Sequence, residues 1–111
     1  MSATVSTQVV TLLTAAPGLK EAERIALALV SERLAACANV IPGVSSIYWW
    51  DGQVQREEEA MVVIKTTMAQ VNALEARLVE LHPYDIPELL AFPIAGGHPP
   101  YLAWVGSEVE G

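Results

Sequence analysis

Cys37, His82 and His98 are the side chains of this sequence best suited to hold a soft or borderline metal ion. The thioethers of Met1, Met61 and Met68 are weaker donors. The three stronger ligands lie far apart, and no CxxC or HExxH pattern ties them into a local site. Cys37 falls among alanines where a helix meets a strand, surroundings in which a free thiol behaves as a small hydrophobe. His82 stands at the expected C-terminus of a helix, where an imidazolium would complement the dipole. Tyr84, Asp85 and Glu88 crowd the same turn, and Asp85, Glu88 or water would complete a nitrogen/oxygen metal site around it. His98, on a Gly/Pro loop, reads as a solvated surface residue.

Lys65 follows the apolar run Met61–Ile64, and an ammonium at the end of a buried strand needs an anionic partner. Glu59, Glu88 or the carboxylate or phosphate of a ligand would serve. Trp49 and Trp50 are adjacent on an expected strand and so face opposite sides, one toward the core and one toward a partner or cleft. Trp50 with Tyr84 and Tyr101 is a candidate pocket lining. Glu57-Glu58-Glu59 reads as a solvated strand start with weak attraction for hard cations. The sequence has no GxSxG, no Walker-type phosphate loop and no spaced Asp/Glu constellation. No catalytic residue is assigned, and an enzyme is not expected.

The elements that must position these groups follow from spacing and turn chemistry. Val5 to Ala15 is nearly continuous in apolar residues, as in a central strand. Pro17-Gly18 ends it, and a helix runs from about Leu19 to the alanines Ala35 and Ala36. The stretch from Cys37 to Trp50 is rich in β-branched and aromatic residues and would span about 46 Å fully extended. Pro42-Gly43 should interrupt its ladder with a bulge, and Asp51-Gly52 supplies a two-residue hairpin turn. The second arm runs from Val54 to Thr66. A second helix is expected over Met68–His82, with Thr67 and Gln70 as a capping box and Val71, Leu74, Leu78 and Leu81 as its apolar stripe. Leu89–Ile94 is a short fourth strand, and Tyr101–Val105 is either a helical turn or a strand. The order βαββαβ predicts an α+β, ferredoxin-like antiparallel sheet with two helices on one face and a long β2–β3 hairpin.

The length of 111 residues fits one domain covering 1–111. A hydrophobic content of 52% is rich for so small a chain and points to apolar surface covered by another subunit. The net charge of −7, with six Lys and Arg in total, opposes nucleic-acid binding. No apolar run is long enough to span a membrane. The N-terminal residues lack the positive charge of an export signal, so a cytoplasmic location is expected. One cysteine excludes an intrachain disulfide.

The segment ERLAACANVIPGVSSIYWWDG, Glu32–Gly52, together with Ile64-Lys65-Thr66, Leu81-His82-Pro83-Tyr84, Pro87-Glu88 and Tyr101-Leu102-Ala103-Trp104, resembles the signature of the CutA divalent-ion-tolerance family. The likeness runs from about Val9 to Trp104. It implies a ferredoxin-like domain, a compact homotrimer and a link to copper and other divalent metals. In members credited with copper, ligands are attributed to a Cys near the end of the first strand and a His pair before Pro-Tyr. This chain has Leu13 and Leu81 at two of those positions, leaving His82 and, at most, weak copper or other divalent-cation binding with no obligatory cofactor. A second expectation, by fold analogy, is a PII-like regulatory trimer. It would bind a small anionic ligand at a subunit boundary near Lys65, Tyr84, Glu88, Trp50 and Cys37.

Overall fold

The computed structural model describes residues 8–110. Its first strand, β1 (Val9–Ala16), is paired along both edges and buried along most of its length, which is why its sequence is apolar without alternation. Residues 5–7 of the longer strand expected from the sequence lie outside the described residues. Helix α1 (Leu19–Ser31) buries Ala22, Ile25, Ala26 and Leu29 at the expected spacing. It stops well short of Ala36, however. Arg33 takes a left-handed φ of 62°, and the N–H groups of Leu34 and Ala35 both return to the Leu29 carbonyl. Sequence spacing missed this ending because it falls on Arg33, where Gly or Asn would be the usual signal.

The chain then enters β2 (Cys37–Trp50), turns, and returns as β3 (Gln53–Thr67). Asp51 and Gly52 have φ of 53° and 74°, the two left-handed residues that a type I′ turn requires. Ile41 opposes Met61 and Val44 opposes Glu59, so β2 spends three steps where β3 spends two. The extra residue is the bulge expected at Pro42-Gly43, with Gly43 at a φ of 71°. Only Ala60–Thr67 of β3 pairs with β1. The remainder of the hairpin projects beyond the sheet and gives the molecule its 51 Å long axis.

A 3-10 turn, Met68–Gln70, leads into α2 (Val71–Leu81), which buries Leu74 and Leu78. The expected capping box does not form: Thr67 makes no side-chain cap, and Gln70 Nε2 instead donates to the Val109 carbonyl at 2.9 Å. A distant partner took the side chain that local spacing assigned to the cap. Strand β4 (Leu90–Pro93) pairs with β1, and α3 (Pro99–Val109) follows. Its first turn contains two prolines, whose missing N–H groups cost nothing there. Tyr101–Val105 is thus helical.

The sheet order is β2-β3-β1-β4 with every pair antiparallel, the ferredoxin-like split βαβ arrangement. One face is the main core, where Leu12 and Ile64 meet Ile25 and Leu29 of α1 and Leu74 and Leu78 of α2. Each fully buried Leu or Ile contributes about 1.5–3 kcal/mol, so this layer dominates the stability. By strand alternation Val9 and Thr67 point the other way. There α3 covers them with Val105 and Val109, a third helix that the sequence-based architecture lacks.

Candidate functional site

Where the hairpin leaves the sheet, its cross-strand pairs set side chains in rows. Val44 faces Glu59, Ser46 faces Glu57, Tyr48 faces Gln55 and Trp50 faces Gln53. The loop after α2, residues 83–88, closes over this surface. His82 holds that loop. Its ring is buried, Nδ1 accepts the Tyr84 N–H at 3.1 Å, and Nε2 lies 2.7 Å from the Ala15 carbonyl. An Nδ1 that accepts places the proton on Nε2, which donates to Ala15, so the imidazole is neutral in this arrangement. The Tyr84 ring packs against it with centroids 4.8 Å apart.

Tyr84 is thereby aimed at the hairpin, and its hydroxyl donates to Glu59 Oε2 at 2.7 Å. Glu59 is only 8% exposed. The acidic triplet is therefore not uniformly solvated as expected: its last member is a buried acceptor, because the returning loop covers it. Burial, then the hydrogen bond to Glu59 and the nearby negative charge, push the Tyr84 phenol well above the usual tyrosine range. Tyr48 is pushed up as well, by burial first and then by the neighbouring Glu57. Both phenols favour the protonated form, and Tyr84 uses its proton as a donor to Glu59.

Between hairpin and loop lies a cleft of about 800 Å³. Tyr48, Trp50, Glu57 and Glu59 line one wall, and Tyr84, Asp85, Ile86 and Glu88 the other. Four carboxylates face it and, among the described residues, no Lys or Arg lines it, a potential that opposes the small anionic ligand considered above. Neither adjacent tryptophan packs into the chain's own core: Trp49 is 73% and Trp50 56% exposed. The expected inward-facing Trp fails because the projecting half of the hairpin has no helix layer beneath it.

Of the residues singled out in the sequence, Trp50, Tyr84 and Glu88 meet in the cleft, and His82 stands behind Tyr84. Cys37 and Lys65 are placed elsewhere, opposite each other on β2 and β3. Lys65 Nζ donates to Asn39 Oδ1 rather than to Glu59 or Glu88, and the Cys37 thiol sits 3.9 Å from the same oxygen. Tyr101 of α3 joins them, its phenol raised by burial and then by Cys37. Among the described residues, no three of His, Cys, Asp and Glu come together as a metal-binding group. Sequence reasoning missed Tyr48 and Asn39. Each lies two positions from a residue it did single out, Trp50 and Cys37, and the period of a strand was the available signal.

This fold, a split βαβ sheet with an overlong bulged hairpin, defines the class as ferredoxin-like α+β. A sequence model described as CutA1 divalent ion tolerance protein matches residues 10–108. The chain belongs to that family. The divalent-cation tolerance protein CutA of Thermus thermophilus is 47% identical over 89 residues, 80% of this chain and 86% of that protein. A rice protein named CutA 1, chloroplastic, is 43% identical over 89 residues, 80% of this chain but only 50% of its own length. This chain thus spans about half of that relative. The crystal structure of CutA from Xylella fastidiosa superposes with a TM-score of 0.90 at 41% identity, covering 93% of this chain and 99% of that one. The family is named for tolerance of divalent cations and not for a reaction. One relative's name places it in the chloroplast, so membership alone fixes no compartment. No helix among the described residues is long and apolar enough to cross a membrane.

Proposed function

We propose that this chain acts in divalent-cation tolerance as a non-enzymatic homotrimer that holds copper or a similar cation weakly. The observation that carries the assembly is the sheet face that α1 and α2 do not cover. Strand pairing lays Cys37, Lys65, Thr11 and Phe92 in one row, Asn39, Val63, Leu13 and Leu90 in the next, and Ile41, Met61 and Ala15 in a third. Helix α3 covers only the end near Val9 and Thr67. Ile41, Leu90 and Phe92 are each about half exposed, and with Leu13, Met61 and Val63 they form a continuous apolar patch of the kind that marks an interface. The edge of β3 from Gln53 to Glu59, which β1 does not reach, adds unpaired backbone that a neighbouring chain would satisfy. The family resemblance supplies the number three.

His82 is the residue to which the resemblance assigns a metal. Both of its ring nitrogens are engaged by backbone groups, so a cation must displace the Tyr84 N–H or the Ala15 carbonyl before it gains a ligand. Breaking a hydrogen bond whose partner stays buried costs about 1–3 kcal/mol, which supports weak binding. Light scattering joined to copper calorimetry tests both parts. The expected mass is three times 11.9 kDa, with weak Cu(II) uptake that His82→Ala abolishes. A stable monomer would defeat the assembly, and tight copper binding untouched by His82→Ala would defeat the metal assignment.

A further inference from the structure

The cleft between hairpin and loop has a chemistry that a bare metal ion would not use. Its volume of about 800 Å³ lies within the range of sites for small organic molecules, about 300–1,000 Å³. Its walls carry three aromatic side chains, Tyr48, Trp50 and Tyr84. Negative charge comes from both sides, Glu57 and Glu59 on the strand and Asp85 and Glu88 on the loop. These carboxylates are dispersed over the walls, and among the described residues no three converge to form the shell a divalent ion needs. Glu59 is more than nine-tenths buried, and the Tyr84 hydroxyl fixes its orientation, so one charge is anchored in the cleft at a poorly hydrated position.

Aromatic faces attract a cation through the ring quadrupole. Dispersed carboxylates neutralise a charge that is itself spread over several CH groups. An anion would meet four negative groups, and a neutral molecule would desolvate them without compensation. We propose that the cleft binds an organic ammonium compound, its alkylated nitrogen against the rings of Trp50 and Tyr48 and its charge balanced by Glu57 and Glu59. The cleft borders the β3 edge given above to a neighbouring chain and shares Asp85 and Glu88 with the loop that follows His82, so the titration is made on the assembled protein, and its failure would leave the family untouched.

The test uses the intact protein in the presence of a metal chelator. Choline is titrated while the indole N–H of Trp50 and the amides of Tyr84 and Ile86 are followed by NMR, with 3,3-dimethylbutanol as the uncharged isostere. Choline should move these signals saturably, and the alcohol should bind at least about tenfold more weakly. Glu57→Gln, at an exposed position that leaves Glu59 and its Tyr84 contact in place, should weaken choline several-fold, and Trp50→Ala should abolish the response. Equal binding of alcohol and choline, shifts confined to other parts of the protein, or no shift at millimolar choline would each overturn the proposal.

Discussion

Tyr84 and Glu59 lie 25 positions apart in the chain and meet in a 2.7 Å hydrogen bond that fastens the loop after α2 to the root of the hairpin. The donor is oriented by His82, whose Nδ1 holds the Tyr84 N–H. The acceptor is buried. A buried carboxylate that loses its donor keeps its desolvation cost, typically about 1–3 kcal/mol or more for a charged group. Tyr84→Phe should therefore lower stability by about that much while leaving the ring contact with His82 in place. Glu59→Gln in the same background should recover part of the loss, since an amide is cheaper to bury than a charge. Urea unfolding of the two single variants and the double variant measures the coupling. Strictly additive losses would show that the bond contributes nothing.

The phenols give a second expectation, at high pH. The chain has three tyrosines, and Tyr48, Tyr84 and Tyr101 are all raised above the ordinary 10.0, in each case chiefly by burial. Tyrosine is neutral when protonated, so a raised native value means that folding favours the protonated form. The resulting stability is fully present below the unfolded value of 10.0 and is lost as pH rises through the native values. Phenolate absorbance of the native protein should thus rise at higher pH than that of the unfolded chain, with Tyr84 last. A Tyr84 that ionises with the unfolded chain would contradict its buried hydrogen bond to Glu59.

Arg33 offers a test of the backbone. It sits at a φ of 62° just after α1, a conformation that costs a residue with a Cβ about 1–2 kcal/mol. Its guanidinium reaches Glu108 of α3 at 2.5 Å, but both side chains are well exposed, and such pairs contribute about 0–1 kcal/mol. The backbone effect should therefore win. Arg33→Gly should be neutral to stabilising and Arg33→Val clearly destabilising, read from thermal midpoints. A large loss in the glycine variant would mean that the Glu108 contact, and with it the docking of α3, matters more than its exposure suggests.

The sequence was most legible where a physical rule is local. Asp51-Gly52 announced its turn because only left-handed residues fit a type I′ hairpin, and Pro42-Gly43 announced the bulge because proline cannot join a ladder. It misled where a distant partner decides. Gln70 has the spacing of a capping residue, yet Val109 recruits it. Glu59 belongs to a run that looks solvated until the loop after α2 folds over it. Lys65 seemed to require a carboxylate, and the structure provides the Asn39 amide across the β2–β3 ladder. Trp50, Tyr84 and Glu88 were recognised one by one, but their shared cleft depends on a hairpin–loop contact that no local spacing encodes.

The assembly itself yields the last expectation. Phe92 and Leu90 are half exposed on the edge strand β4, in line with Thr11 and Leu13 on the uncovered face. An isolated chain tolerates a charge there, because Phe92→Asp would simply present its carboxylate to water. In a trimer that buries this face, the same carboxylate would be desolvated without a partner, at a cost of several kcal/mol per subunit. Phe92→Asp should therefore shift the mass toward the 11.9 kDa monomer while keeping the circular dichroism of the fold. Leu27 is the control: it is 70% exposed on α1, on the layer away from the proposed interface, and Leu27→Asp should leave the mass unchanged. If Leu27→Asp dissociates the protein and Phe92→Asp does not, the chains meet through their helices, and the apolar rows of the sheet need another explanation.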